Sequence, residues 1–431
     1  MDLFVKFKKD YFNYLISIIL PAFISGASIP VFKHLLGASG YGNFSIWFNA
    51  ILISTAILSG WIAQSIILFF PLQNNKQVFS KAALLLSART QSLFFLPVLA
   101  IVWYISHDFF LAFLCATVLF VTAMQFVILP IIQSSFLSKK IIYSETIRVV
   151  TYVGGAICLV KFSPLPYLYS LFIAVIVSYS FSLIYLLRQS VIFFRSNENN
   201  FNETRGENHV FKKFFKYGAP LSLWFVFAFM LSYIDKLFIL KNLGAEVQGN
   251  YQAIFDFLSK SIILIISPIV TSIFPILTAA YSKGDRLEIK RLLKKIALFE
   301  LAGFTITSIL YWWFGATLLL KILKTPDTFN FRFMGFIVIA GTFIWQIAIL
   351  VQKRFELKLR SLYLLKMVIV AFTCQVIFYL VFKDSANEQI YPLGFLLSAI
   401  IYLFLISGSQ LILYSKKLRL TSRSFSSKAR L

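Results

Sequence analysis

Residues Lys33–Phe44 read KHLLGASGYGNF, and the pattern returns at Lys241–Tyr251 as KNLGAEVQGNY. Alignment pairs Gly37 with Gly244, Ala38 with Ala245, Gly42 with Gly249, Asn43 with Asn250 and Phe44 with Tyr251, a constant offset of 207 residues. In both copies this short polar segment follows an apolar run of membrane-spanning length and precedes a longer one. The chain therefore consists of two related halves, and the repeat governs every later inference.

The composition fits that view. Hydrophobic residues make up 59% of the 431, charged residues 13%, and the mean hydropathy is +0.81. Those values lie outside the range of soluble domains and indicate a polytopic membrane protein. A net charge of +24 invites a nucleic-acid partner. That reading needs a basic face or domain, whereas here the basic residues form short clusters between apolar runs, so no nucleic acid is expected. Cys115, Cys158 and Cys374 stand alone within apolar segments, without metal or redox spacing. The first apolar run is too long for a signal core and lacks a small-residue cleavage site, so retention of the N-terminus is expected.

A transmembrane helix needs about 20 apolar residues, and the chain divides into about twelve such runs. In the first half they are Phe12–Phe32, Asn43–Phe70, Ala82–Ile105, Phe109–Ser134, Tyr143–Val160 and Leu165–Leu187. In the second they are Phe214–Leu240, Asn250–Ala280, Ile296–Leu320, Phe331–Val351, Leu362–Phe382 and Leu393–Tyr414. The expected fold is all-α: an N-terminal six-helix lobe (1–187), a polar linker (188–213), a C-terminal six-helix lobe (214–414) and a basic tail (415–431). About 32 of the 41 basic residues fall in alternate connections, on one side of the membrane. By the positive-inside rule that side, with both termini and the linker, is cytoplasmic. Even span counts give the halves one orientation, as parallel repeats have. The repeated glycine segment then lies in the first outer loop of each half. On the inner side Ser282–Lys295 reads as a short amphipathic surface helix, with Asp285 and Glu288 at capping-box spacing.

Several short motifs recur in a telling order. They are Pro21 followed by Leu36-Gly37-Ala38 and Tyr41-Gly42-Asn43-Phe44; Tyr217-Gly218-Ala219-Pro220; Asp235-Lys236; Leu243-Gly244 with Gly249-Asn250-Tyr251; and Gly284-Asp285. In arrangement the chain resembles the polysaccharide transporters, the O-antigen flippase branch of the multidrug/oligosaccharidyl-lipid/polysaccharide (MOP) exporter superfamily. The resemblance implies two six-helix lobes forming a V that opens alternately to either side. It implies outward translocation of an undecaprenyl-pyrophosphate-linked oligosaccharide in a bacterial cytoplasmic (inner) membrane. Membrane lipids, a polysaccharide polymerase and a chain-length regulator are the partners it suggests. No cofactor is expected beyond a coupling ion, proton or sodium.

That task has a clear physical requirement. Moving one unpaired hydroxyl from water into hydrocarbon costs about 4–8 kcal/mol, so a sugar headgroup needs a polar cleft. Ionisable residues at membrane depth, each costing about 2.5–3.5 kcal/mol at a helix centre, are the first places to look for one. Asp256 and Lys260 are one turn apart on one helix face, and Lys260 lies near the midplane. They read either as a self-neutralised packing pair or as a cleft pair contacting substrate or a proton. Asp235 and Lys236 lie in the outer part of the seventh run, where Lys236 either snorkels outward or lines the cleft. Through the repeat these charges correspond to Ser28 (Asp235), Asn49 (Asp256) and Ile53 (Lys260), so any charged site is asymmetric. Arg89 and Arg148, near cytoplasmic span ends, either receive pyrophosphate or mark the interface. Asn49, Gln64, Gln125 and Gln346 either hydrogen-bond sugar or join helices. The aromatic residues read mostly as lipid-facing or interfacial. His34, His107 and His209 are expected on loops.

Two rivals follow from the same residues. A multidrug cation antiporter of the same superfamily calls for acidic residues in the cleft, whereas here the deep charges are mixed. A membrane glycan polymerase or ligase needs a large outer loop, and the outer connections are only about ten residues. No phosphate loop or nucleophile–base set accompanies the spans, so an enzyme is not expected.

Overall fold

The computed structural model describes residues 3–70, 76–135, 137–194, 203–282, 285–358, 360–383 and 387–408. The basic tail and the middle of the linker lie outside them. The described chain is all helix: α1 (Leu3–Phe69), α2 (Lys76–Ser106), α3 (Phe109–Ser134), α4 (Ser138–Phe162), α5 (Tyr167–Phe194), α6 (Glu203–Leu231), α7 (Ile234–Leu243), α8 (Ala245–Ser282), α9 (Arg286–Leu310), α10 (Ala316–Ile322), α11 (Phe329–Glu356), α12 (Ser361–Val381) and α13 (Ile390–Gly408). A π-helical turn, Tyr311–Gly315, joins α9 to α10. Nine segments among the described residues are long and apolar enough to cross a membrane. The described residues thus form an all-α bundle in two halves, each with several helices of membrane-spanning length.

The repeat marks a single-residue break between helices in each half, not a loop. The first two apolar runs share α1, which is interrupted only at Gly37 (φ 72°, ψ 172°). Its counterpart Gly244 (φ 87°, ψ 173°) separates α7 from α8 in the same conformation. A side chain is strained at such angles, so glycine allows each chain to turn within one residue. The other two repeat glycines face each other across the lobes. A Cβ built on Gly42 would reach the Gln248 side chain and come within 3.1 Å of Gly249 Cα, while one on Gly249 would overlap the Ala38 carbonyl. Small residues permit this approach, which matters because packing and hydrogen bonds, not hydrophobicity, hold helices together in lipid.

Helix α1 is the spine of the molecule. It packs against α3 and α4 in its own half and against α8 and α6 in the other. Toward the end opposite the glycines, Ser222 Oγ donates to the Ala56 carbonyl (2.5 Å) and Ser65 Oγ to the Phe214 carbonyl (2.9 Å). The seam between the halves is thus bonded near both ends of this stretch.

Four expectations change. The seventh run is broken at Ser232–Tyr233, where Ser232 and Tyr233 N–H groups reach back three residues to Phe229 and Met230. Ser282–Lys295 is not a separate surface helix: Asp285 caps α9 by accepting from Glu288 N–H (2.9 Å), and α9 then runs on through the ninth span. His34 lies within α1 and His209 within α6, and of the three histidines only His107 is on a connection. Finally, the aromatic residues divide: many rings, such as Tyr104, Phe162 and Trp313, are exposed as expected, but Tyr251, Tyr379, Tyr402, Phe172 and Phe214 are fully buried, and these tyrosine hydroxyls find partners inside.

Candidate functional site

The break between α6 and α7 creates the first part of the site. Asp235 falls in the first turn of α7, where free N–H groups and the helix dipole favour a carboxylate. Its Oδ1 accepts from the Lys236 N–H (2.8 Å) and its Oδ2 from the Tyr251 hydroxyl (2.5 Å) on α8. Tyr251 is the aromatic residue that closes the repeated motif. Lys236 does not snorkel: it is 2% exposed, with Nζ 4.7 Å from the Phe255 ring centroid. A cation over a ring face gains electrostatic attraction from the ring quadrupole.

One turn further along α8, Asp256 and Lys260 complete the arrangement. Their N–O separation is 3.8 Å, and Asp256 Oδ2 also accepts from the Tyr41 hydroxyl at 2.9 Å. Tyr41 belongs to α1, so this bond crosses between the halves. Lys236 interacts electrostatically with Asp235, Asp256 and Lys260, and the four form one cluster of zero formal charge. Lys260 is the accessible member, its side chain 45% exposed against 17% for Asp256. The structure therefore joins all four deep charges, and Tyr41 and Tyr251 fix the carboxylates.

A second cluster lies within the N-terminal half. Arg148 on α4 pairs with Glu145 at 2.6 Å and places its guanidinium 5.0 Å from the Tyr179 ring centroid on α5. Gln125 on α3 donates to Glu145 (3.0 Å) and to Ser182 (3.0 Å), which also bonds Ser144 (2.6 Å). Arg148 and Gln125 thus tie α3, α4 and α5 together, and the guanidinium is already engaged. The remaining candidates join neither cluster by a described hydrogen bond. Arg89 is exposed on α2, opposite the buried Ser80, Ala83, Ser87 and Gln91; Asn49 and Gln64 are half-buried on α1; Gln346 is buried on α11.

A third set of bonds closes the glycine end of the seam. Lys33 Nζ donates to Thr325 Oγ1, which is 3.5 Å from Asn250 Oδ1, and His34 Nε2 lies 2.6 Å from the Ile322 carbonyl. Together with Tyr41–Asp256, these bonds link α1 to the opposite half. Sequence reasoning missed Tyr41 as an Asp256 partner, Tyr251 as an Asp235 partner and Glu145 as an Arg148 partner. Only the last had a local signal, the spacing of three residues on one helix. Among the described residues no group of three His, Cys, Asp or Glu side chains is placed to hold a metal.

Known proteins match this chain in fold but not in sequence. No protein-family model and no curated protein matches it. Among solved structures it is similar to a MOP-superfamily transporter from Pyrococcus furiosus whose binding pocket is described as of reverse polarity (TM-score 0.69, 11% identity, 95% of this chain and 96% of that one). It is also similar to the outward-facing conformation of a multidrug-resistance MATE-family transporter of the MOP superfamily (0.69, 12%, 95% and 96%) and to the eukaryotic MATE transporter AtDTX14 (0.65, 13%, 96% and 97%). The chain has the MOP transporter fold, shared with MATE proteins, and these neighbours do not single out the flippase branch.

Proposed function

We propose that the chain is an alternating-access transporter whose halves rock about the α1–α8 seam. The observation that carries this reading is the division of Asp256 between two partners: Tyr41 in the opposite half and Lys260 on its own helix. Separating the halves breaks the first bond and leaves the second, so the ion pair offsets the cost of exposing the carboxylate during the change.

For cargo, the leading reading is a lipid-linked oligosaccharide bearing pyrophosphate, carried from the inner to the outer leaflet of a bacterial cytoplasmic membrane with both termini cytoplasmic. Lys260 is the exposed cation in the seam cluster and suits a phosphate oxygen. The motif order described above supports the same cargo. The fold neighbours favour the second reading, an organic-cation antiporter, at least as well, since most are MATE proteins. Fold alone leaves cargo charge open, and a MOP neighbour described as having reversed pocket polarity illustrates that latitude.

Proteoliposomes separate the two. A short-chain lipid diphosphate oligosaccharide placed in one leaflet should become accessible to an external glycosidase, and Lys260→Gln should slow this while leaving insertion intact. Gradient-driven ethidium movement without lipid translocation would establish the antiporter. Failure of both would refute transport by this seam.

A further inference from the structure

Glu300 is the buried acid that the seam cluster does not use. Along α9 the residues Ile289, Leu293, Ile296 and Glu300 recur at spacings of four, three and four, the pattern of a single buried stripe, and their exposures are 8%, 4%, 8% and 1%. The stripe faces α8 and α11. Glu300 thus stands where an apolar side chain would, and both carboxyl oxygens are without a hydrogen-bond partner among the described residues.

Its surroundings follow from the register of α9 against α11. Gly303 and Phe304 meet Phe343, and the Tyr311 hydroxyl donates to the Arg332 carbonyl (2.9 Å). The helices are antiparallel, so Glu300 is level with Gln346, and Thr342 lies one turn further toward the π turn. Both side chains at this level are buried, at 4% and 2%, and Thr342 Oγ1 is itself without a partner among the described residues. The charged groups on the packed elements lie elsewhere. Asp256 and Lys260 on α8 belong to the seam cluster; Lys353, Arg354 and Glu356 on α11 begin two turns away, about 10 Å; and Lys294 and Lys295 on α9 are exposed. On the π turn, Tyr311 is engaged as above. No described ion pair involves Glu300.

An ionised carboxylate in such a place is cut off from bulk water and has no counter-charge among the described residues, and groups in that situation neutralise. A metal cation would need a shell of several oxygens, and on α11 only Thr342 and Gln346 offer a side-chain oxygen at this level. A proton needs just one. We propose that Glu300 is a proton-binding site inside the C-terminal half, holding a proton between α9 and α11 in this conformation and exchanging it when those helices move. Its service as a coupling site rests on the transporter reading above, whereas proton occupancy does not.

The test is made on the purified full-length protein in lipid nanodiscs. Wild type should show a protonated-carboxyl infrared band at neutral pH that is lost in Glu300→Gln, while that neutral, near-isosteric variant keeps its melting temperature. Independently of any variant, dicyclohexylcarbodiimide, which attacks protonated acids in apolar surroundings, should label Glu300 in a peptide map. Absence of both the band and the label would overturn the proposal. So would protection from labelling by sodium chloride but not choline chloride, which would make this a sodium site. None of these readouts involves cargo, so a failed transport assay and a failed proton site remain separable.

Discussion

Replacing Gly249 by alanine drives a methyl group into the backbone of Ala38. The added Cβ would overlap the Ala38 carbonyl oxygen and lie 2.5 Å from its carbonyl carbon and 3.2 Å from its Cα. No side-chain rotation relieves a clash with main chain, so α1 and α8 must separate by roughly 1.5 Å to recover ordinary contact. Overpacking of this kind costs about 1–3 kcal/mol, which shifts an equilibrium between contacted and separated arrangements about 5- to 150-fold. Spin labels at the exposed positions Ser39 and Lys241, in a cysteine-free background, report the separation across the glycine end. The Gly249→Ala distance distribution should move outward, with a lower melting temperature. Gly154→Ala is the control, because nothing lies within 4 Å of its Cβ position in α4. There the change should leave distances unaltered and stabilise the helix by up to about 1 kcal/mol. A Gly249→Ala distribution superimposable on the parent, at unchanged stability, would refute the close crossing of the two repeats.

Two further outcomes follow. Tyr41→Phe removes a bond to a charged acceptor, worth about 1.5–3 kcal/mol, and should loosen the same label pair without affecting the Lys260–Asp256 pair; an unmoved distribution would deny Tyr41 a part in joining the halves. Beyond the spans, hydrogen bonds from Arg332 (2.6 and 2.7 Å) hold the Asp327 carboxyl below its ordinary range. Because the folded value is the lower one, the stabilisation is complete above the ordinary carboxylate value and fades as pH falls through the depressed one. The melting-temperature difference between wild type and Asp327→Asn should therefore be constant near neutrality and vanish well below about pH 4, and a difference that grows in acid would contradict this.

Much of this architecture was open to sequence reasoning for a physical reason. Bilayer thickness fixes span length, and the repeat fixes how the halves correspond, so most helices and the pairing of Gly37 with Gly244 were accessible, although the glycines read as loops, not as single-residue breaks between helices. Asp256 and Lys260 were legible as a pair because both sit on one helix at a spacing of four. What escaped depends on which faces meet. Tyr41 and Asp256 are 215 residues apart, and no local pattern brings them together. The break at Ser232–Tyr233, which gives Asp235 its helix start, lacks glycine or proline and so carries no punctuation. Lys236 was open to snorkelling because sequence alone does not reveal the Phe255 ring beneath it. Glu300 lies just past the basic turns of α9, where proximity to charged neighbours disguised its burial.

The meeting of Gly42 with Gly249 has a consequence for ancestry. Each is the counterpart of the other under the repeat, so the residue touches its own image and marks an internal two-fold axis. Such self-matching is the hallmark of isologous contacts in symmetric dimers. In a half-length progenitor the same crossing would have joined two identical chains, and fusion would have converted a subunit boundary into an internal one. The two copies are not identical now: Asp256 and Lys260 have no likeness at Asn49 and Ile53, so charge is confined to one side of a seam whose glycines remain paired.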